Sequence, residues 1–315
     1  MKFNLLFIIP VYNDWVSAYM LQKEIENIST IGTSRLYLII NDSSTMNPDA
    51  NKISSINSPT VILNLNANMG HQRAIAIGLA YASDNLKSDH IIVMDSDGED
   101  KPSDIERLLF RSKDFDGIVF AKRTKRHEGL TFRFYYLIYK IMFKTLTGKK
   151  ISFGNFCLIP GVYLKKITFV PEIWNHFSGG IIRSGIPYTA IPLEKGKRYH
   201  GTSKMNFTKL ILHGLSAISV YADYMAIRLI LLSLFLIMAT LFGISIVAFI
   251  RIFTKLAIPG WATSTVLGLS ILLLLSLILG LFLIFNLLSL KTYKSIVPAK
   301  DYQDYILSTS SINAN

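Results

Sequence analysis

Short apolar runs rich in Ile, Leu and Val occupy residues 4–9, 35–40, 60–65 and 90–94, and each ends in polar or turn-forming residues. Runs of this length without polar alternation predict strands buried on both faces, as in a parallel sheet. Segments of helical character lie between them, notably 14–28 and 71–83, so strand and helix alternate. That order predicts a doubly wound sheet, in which ligands bind beyond the carboxyl ends of the strands. A fifth strand is expected at 117–121. The first run also invites a reading as a signal peptide, but no small-residue cleavage site comes after it, and a stretch that ends at Pro10 suits a buried first strand.

The pattern changes after residue 225. Residues 229–250 contain no charged side chain, and neither do residues 264–290. Each is long enough to cross a hydrocarbon core of about 30 Å, and two in tandem argue against core helices. The segment between them, 251–263, carries only Arg251 and Lys255, whereas the flanks hold Lys204, Lys209, Arg228, Lys291, Lys294 and Lys300. The positive-inside rule then places both flanks in the cytoplasm. Residues 207–224 are amphipathic with interspersed aromatics, which predicts a helix lying along the membrane surface. The expected plan is an α/β domain over 1–205, a juxtamembrane amphipathic helix over 206–225, a two-helix transmembrane hairpin over 226–292 and a cytoplasmic tail over 293–315. The final dozen residues are expected to lack order.

Composition agrees with two compartments: half of the 315 residues are hydrophobic and only 17% are charged. The formal net charge of +12 suits anionic partners, which include phosphorylated substrates, nucleic acid and the inner leaflet, and does not choose among them. The single cysteine, Cys157, excludes an intramolecular disulfide framework, and its apolar neighbours Phe156 and Leu158 suggest a packed thiol.

Candidate chemistry gathers where strands end. Pro10-Val11-Tyr12-Asn13-Asp14 and Asn41-Asp42-Ser43-Ser44 supply small polar groups able to grip a planar base, or to form ordinary turns and a helix cap at Asp14. The strongest local signal is Asp95-Ser96-Asp97-Gly98-Glu99-Asp100 after the fourth run. Alternating carboxylates leaving a buried strand can converge on Mg2+ or Mn2+, which can then bind a diphosphate. A calcium loop of the EF-hand type is disfavoured, because Gly98 comes too early and a strand precedes it. Asn68-Met69-Gly70-His71-Gln72-Arg73 opens a helix, where backbone N–H groups and Arg73 could face phosphate or sugar oxygens; a plain helix cap with a surface arginine fits as well. Two basic groups, 122–126 and 195–204, suit phosphate oxygens. No G-x-G-x-x-G comes after the first strand and no G-x-x-x-x-G-K-[ST] is present, which argues against a dinucleotide-dependent dehydrogenase or a P-loop enzyme.

Taken in order, Pro10 to Asp14, Asn41 to Ser44, Asn68 to Gly70, Asp95 to Asp97 and Arg198 to Lys204 resemble the family 2 glycosyltransferases of GT-A fold. Within them the chain is similar to the polyprenyl-phosphate glycosyltransferases. The resemblance spans essentially the whole chain, and what it implies is specific. The fold would be a GT-A, Rossmann-like domain with a mostly parallel sheet, then the interfacial helix and two transmembrane helices. Pro10, Tyr12, Asp14, Asp42, Asn68, Gly70, Arg73 and Asp95 would surround a nucleoside diphosphate sugar. Asp95, Asp97 and Glu99 would hold Mg2+ or Mn2+. Arg123, Arg126, Arg198, Ser203 and Lys204 would meet donor or acceptor phosphates, with Asp97, Arg198 and Asn155 nearest the chemistry. Two positions depart from the pattern: Asn41 replaces the first aspartate of the usual pair, and Asn155 stands where many relatives have an aspartate proposed as catalytic base.

The expected activity is inverting, metal-dependent transfer of one hexose from a nucleoside diphosphate sugar to a polyprenyl phosphate. The enzyme would be a multi-pass protein of the inner (plasma) membrane with its catalytic domain in the cytoplasm. Its partners would be the donor, the lipid and the membrane, with no nucleic acid, and relatives imply a homo-oligomer. The alternatives are transfer to a hydroxyl of a lipid-linked saccharide or envelope polysaccharide, and a non-catalytic membrane scaffold. The chain lacks the Q-x-x-R-W signature of processive synthases, and the acidic pair argues against a scaffold.

Overall fold

The computed structural model describes residues 3–29, 34–123, 143–145, 147–148, 154–201, 214–256 and 258–312. They divide into two compact units: residues 1–137, 150–220 and 295–315 form one, and residues 138–149 and 221–294 the other.

In the first unit the four predicted runs form β1 (Phe3–Val11), β2 (Arg35–Asn41), β3 (Thr60–Leu65) and β4 (Ser88–Val93). They pair in parallel in the order β4-β1-β2-β3. Crossovers run through α1 (Trp15–Glu26), the short α2 (Ala50–Ser54) and α3 (His71–Asn85). Side chains alternate between two apolar layers. Leu6, Ile8, Leu38, Ile40 and Leu63 pack against α3 on one face, and Phe7, Ile9, Tyr37 and Ile39 pack against α1 on the other. Gly78 of α3 allows the closest approach, since a Cβ there would meet Ile40 Cδ1 at 2.7 Å.

After β4 come α4 (Ile105–Lys113) and the fifth strand, β5 (Ile118–Arg123). Four further elements of this unit carry no clear pattern in the sequence: β6 (Cys157–Pro160), α5 (Gly161–Thr168), α6 (Phe177–Arg183) and β7 (Tyr188–Leu193). β6 inserts antiparallel between β4 and β5, and β7 lies parallel on the far side of β5. Cys157 on β6 is fully buried, and burial pushes its thiol well up in pKa. We expect an alkylating thiol reagent at pH 8 to leave Cys157 unmodified until the unit is unfolded by denaturant; labelling of the native protein at the denatured rate would show that β6 is not packed as described.

Residues 304–312 of the tail are ordered, contrary to the expectation that the final dozen residues lack order. A helical turn, α9 (Pro298–Asp301, numbered after the two helices of the second unit), leads to β8 (Ile306–Ile312), which pairs antiparallel with β3 and ends the sheet. Its Ser and Thr side chains are exposed, so it carries no hydrophobic signal; backbone pairing, Tyr302 packed in the core and the Asn64 Nδ2 to Ser308 Oγ bond of 3.0 Å hold it.

The second unit contains α7 (Ala222–Phe253) and α8 (Trp261–Thr292), each 32 residues long. Both are apolar all round, with 18-residue windows of mean hydropathy 2.7 and 2.9 that are only 17% and 11% buried within the protein. Both run past the predicted limits of 229–250 and 264–290. Small buried side chains recur every seventh residue on α7, at Ala226, Ser233, Thr240 and Val247. They let α8 come close: a Cβ on Gly280 would sit 2.7 Å from Ser233 Oγ. Small residues at a helix contact are what association in lipid favours. Of the predicted amphipathic helix over 206–225, residues 206–213 lie outside the described residues, 214–219 are helical, and 222–225 form the start of α7.

Candidate active site

β1, β2, β3 and β4 all end on one edge of the sheet, and the loops that leave them form the site. After β1, Asn13 adopts a left-handed backbone, φ 52°, and so does Ser43 after β2, φ 56°. Asn13 fastens the two loops together: its N–H donates to Ser44 Oγ at 2.9 Å, and its Oδ1 accepts from the N–H groups of Thr45 and Met46 at 2.9 and 3.2 Å. These bonds hold both loops in one shape at the end of the strands. Asn41, the departure from the family pattern, bonds through Nδ2 to Asn64 Oδ1 at 2.8 Å and through Oδ1 to the Ser44 N–H at 3.0 Å.

The expected donor residues divide. Pro10 is buried at the end of β1, while Tyr12 is exposed and Asp14 half-buried at the start of α1, whose first N–H groups it does not cap. Asp42 is buried and faces inward, accepting from Met69 N–H at 2.6 Å and Gly70 N–H at 3.0 Å. It thus shapes the start of α3. Gly70 has φ 84°, which only glycine adopts without cost, and leaves Asn68 exposed. Arg73 points elsewhere: its guanidinium lies over the Trp174 ring, 5.7 Å from the centroid.

The acidic loop after β4 is the centre of charge. Glu99, expected as a metal ligand, is instead taken up by cations. Its Oε1 lies 2.7 Å from Arg198 Nε, and its Oε2 2.8 Å from Lys195 Nζ and 3.3 Å from Arg123 Nη1. Burial works against its charge, but Lys195, Arg198 and Arg123 outweigh that and hold its carboxyl below the ordinary range. Arg123 also meets Asp100 at 3.2 Å, and Arg198 meets Asp97 Oδ2 at 2.9 Å. Burial, and then the charge of Asp95, raise both Asp97 and Asp100, the latter to about 7. Arg123, Lys195 and Arg198 thus pair with Asp97, Glu99 and Asp100, while Asp95 stands outside these pairs with His71 Nε2 3.1 Å from its Oδ1.

Residues 196–199 lie along this loop, with Gly196 N–H donating to Glu99 O at 2.8 Å and Tyr199 N–H to Asp97 O at 2.9 Å. Gly98, at φ 85°, is where the Tyr199 ring rests, since a Cβ there would be 2.7 Å from the ring. Among the described residues no three His, Cys, Asp or Glu side chains converge on one point. Asp95 Oδ1 is buried with His71 Nε2 3.1 Å away, and the donor atoms of Asp95 and Asp97 are hard carboxylate oxygens, so these residues fit Mg2+ or Mn2+. Asn155 approaches from the loop before β6, its Nδ2 2.9 Å from His71 Nε2. Arg126, Ser203 and Lys204 lie outside the described residues. Sequence reasoning missed Lys195 as a partner of Glu99, Asp100 as a partner of Arg123, and Asn13 as the loop fastener. Each carried a signal by its place, Lys195 in the second basic group, Asp100 in the acidic cluster and Asn13 in the cluster after the first strand, but none by its partner.

Residues 6–164, half of the chain, match the profile described as glycosyl transferase family 2. The chain belongs to that family. This family 2 glycosyltransferase is 27% identical over 284 residues to the uncharacterized glycosyltransferase YkcC of Bacillus subtilis (strain 168), covering 87% of this chain and 85% of that one. It is 25% identical over 219 residues to an undecaprenyl-phosphate 4-deoxy-4-formamido-L-arabinose transferase of Salmonella paratyphi B, covering 65% of this chain and 63% of that one. Among solved structures, glucosyl-3-phosphoglycerate synthase from Mycobacterium tuberculosis, in complex with Mn2+, UDP and phosphoglyceric acid, superposes with a TM-score of 0.51 at 12% identity. The match covers 70% of this chain and 78% of that one. At that identity the likeness concerns the GT-A fold alone.

Proposed function

We propose that the transferase moves one sugar, with inversion, from a nucleoside diphosphate sugar to a polyprenyl phosphate at the cytoplasmic face of the membrane. The observation that carries this reading is the acidic loop at the sheet's carboxyl edge, whose Asp97, Glu99 and Asp100 are walled by Arg123, Lys195 and Arg198. A divalent ion bound there supplies positive charge to the departing nucleoside diphosphate. Asp95 and Asp97 would hold it, while the three cations, now bound to Glu99, Asp97 and Asp100, stand within reach of phosphate oxygens and need little rearrangement to take them. The fastened loops at Asn13 and Ser44 would receive the nucleoside.

Asn155 supports the phosphate as acceptor. An amide cannot take a proton at neutral pH, and a sugar hydroxyl would require a base. A phosphate monoester has its second pKa at about 6 and is already anionic and nucleophilic. An Asn155→Asp variant is therefore expected to gain no turnover on the lipid phosphate, and a large gain would count against this acceptor. The relative named for undecaprenyl phosphate supports the same class.

The path of the chain supports the membrane arrangement. Seven strands of the sheet precede α7 and the eighth comes after α8, so the two flanks of the helix pair must lie on one side of any bilayer it crosses. That agrees with the basic residues on both flanks. Anchoring the site where the lipid phosphate surfaces would raise its effective concentration. The decisive experiment incubates the membrane-embedded protein with undecaprenyl phosphate, Mg2+ and a panel of nucleotide sugars, with mass analysis of the lipid. One sugar-phosphate lipid product is expected; donor hydrolysis alone, or sugar found only on a saccharide, would overturn the acceptor.

A further inference from the structure

A row of facing residues crosses four strands at the carboxyl edge of the sheet: Val11 of β1 lies opposite Asn41 of β2, Asn41 opposite Asn64 of β3, and Asn64 opposite Ser308 of β8. On β8 the regular register ends here. The next pair is Leu65 with Ile306, so Leu307 drops out and the ladder is bulged beside the row.

The side chains of this row form a chain of hydrogen bonds whose direction the backbone dictates. The N–H of Ser44 can only donate, so it meets Asn41 Oδ1, 3.0 Å away. Asn41 Nδ2 therefore turns to Asn64 and donates to its Oδ1 at 2.8 Å. That leaves Asn64 Nδ2 to donate to Ser308 Oγ at 3.0 Å. At the other end Ser44 Oγ accepts the N–H of Asn13 at 2.9 Å, so the chain runs unbroken from the C-terminal strand to the loops that leave β1 and β2. Between Leu307 and Ser311 the side chains of β8 are exposed, and an edge strand that buries so little belongs to the part of a fold that opens first.

We propose that Asn64 and Ser308 are positioning residues for donor binding: through Asn41 they hold the Ser44 loop in the shape that receives the nucleoside, so a nucleoside diphosphate binds at full strength only when the C-terminal strand is docked. The inference rests on the reading that these loops receive the nucleoside. It makes donor binding depend on a segment that the chain reaches only after both 32-residue helices, since β8 comes after α8. Coupling between two binding events is reciprocal, so a bound nucleoside diphosphate must in turn hold β8 in place by the same factor.

The test uses the full-length protein in lipid nanodiscs, with UDP, GDP, CDP, ADP and dTDP, each with Mg2+, as calorimetric probes. In Asn64→Leu the Asn41 amide loses its acceptor, and the Kd for whichever nucleotide the wild type binds is expected to rise about tenfold. The donor KM should rise with it, while kcat at saturating donor and the KM for the lipid phosphate stay close to wild type. Asn64→Asp, which can accept from both Asn41 Nδ2 and the Ser308 hydroxyl, should bind nearly as the wild type does. Hydrogen exchange supplies the readout that a merely structural role would not move. Saturating nucleotide should slow the amides of β8 about tenfold while those of β7, the opposite edge of the sheet, change little, and in Asn64→Leu the slowing of β8 should vanish. Exchange of β8 unaffected by a nucleotide that binds, or Asn64→Leu binding it undiminished, overturns this inference and leaves the donor reading standing. A wild type that binds none of the five probes overturns both.

Discussion

Replacing Asp97 by alanine should lower the rate of sugar transfer by about 10³-fold or more, on the order of 4 kcal/mol of transition-state stabilisation. The reason is that Asp97 does two jobs at one point. One oxygen accepts the Glu99 N–H at 2.9 Å and keeps the acidic loop curled, while the other faces Arg198 at 2.9 Å and is available to an ion in exchange. Alanine removes a hard ligand and frees the guanidinium from its anchor. Asp97 lies in a loop and is partly exposed, so the sheet should survive: the thermal transition and circular dichroism are expected to stay near those of the wild type. Transfer of labelled sugar onto the lipid phosphate at an undiminished rate would remove the basis of the proposed chemistry.

The second large effect is expected at Arg198. Its guanidinium spans Asp97 and Glu99 through two nitrogens, a fork that a single ammonium cannot reproduce. Arg198→Ala should cost about 10²–10³ in kcat, the magnitude seen when one charge-stabilising donor is removed from a site. The loss should appear in kcat more than in the donor KM, because Arg123 and Lys195 remain beside Glu99 to hold phosphate in the ground state. Arg198→Lys is expected to recover only a small part of the rate. A lysine variant with full kcat would show that charge alone, rather than two-point geometry, is used there.

Much of this architecture is legible in the linear chain because its signals are local. A run such as Ile91-Ile92-Val93-Met94 is buried on both faces in any parallel sheet, and it leads directly into the carboxylates of Asp95 and Asp97. The two long apolar helices are equally self-evident, since a hydrocarbon interior tolerates few other sequences of that length. The ends of these elements were less legible: α7 starts at Ala222 and passes through Arg228, where hydropathy gives no boundary.

Three features depended on partners far along the chain. β8 is a strand of exposed Ser and Thr that exists because β3, some 240 residues earlier, offers an open edge. Glu99 has the spacing of an ion ligand, but Lys195 and Arg198, brought alongside by residues 196–199, claim its oxygens. Asn155 looked like a missing base, and its neighbours His71 and Gln72 turn it into a link between a backbone donor and the acidic loop.

The sequence by itself therefore determined the strand-and-helix alternation, the acidic loop at a strand end and the apolar helix pair, because burial periodicity and residue type act over a few neighbours. Only the tertiary structure decided which cation meets which carboxylate, since that depends on ion pairing between residues up to about a hundred positions apart.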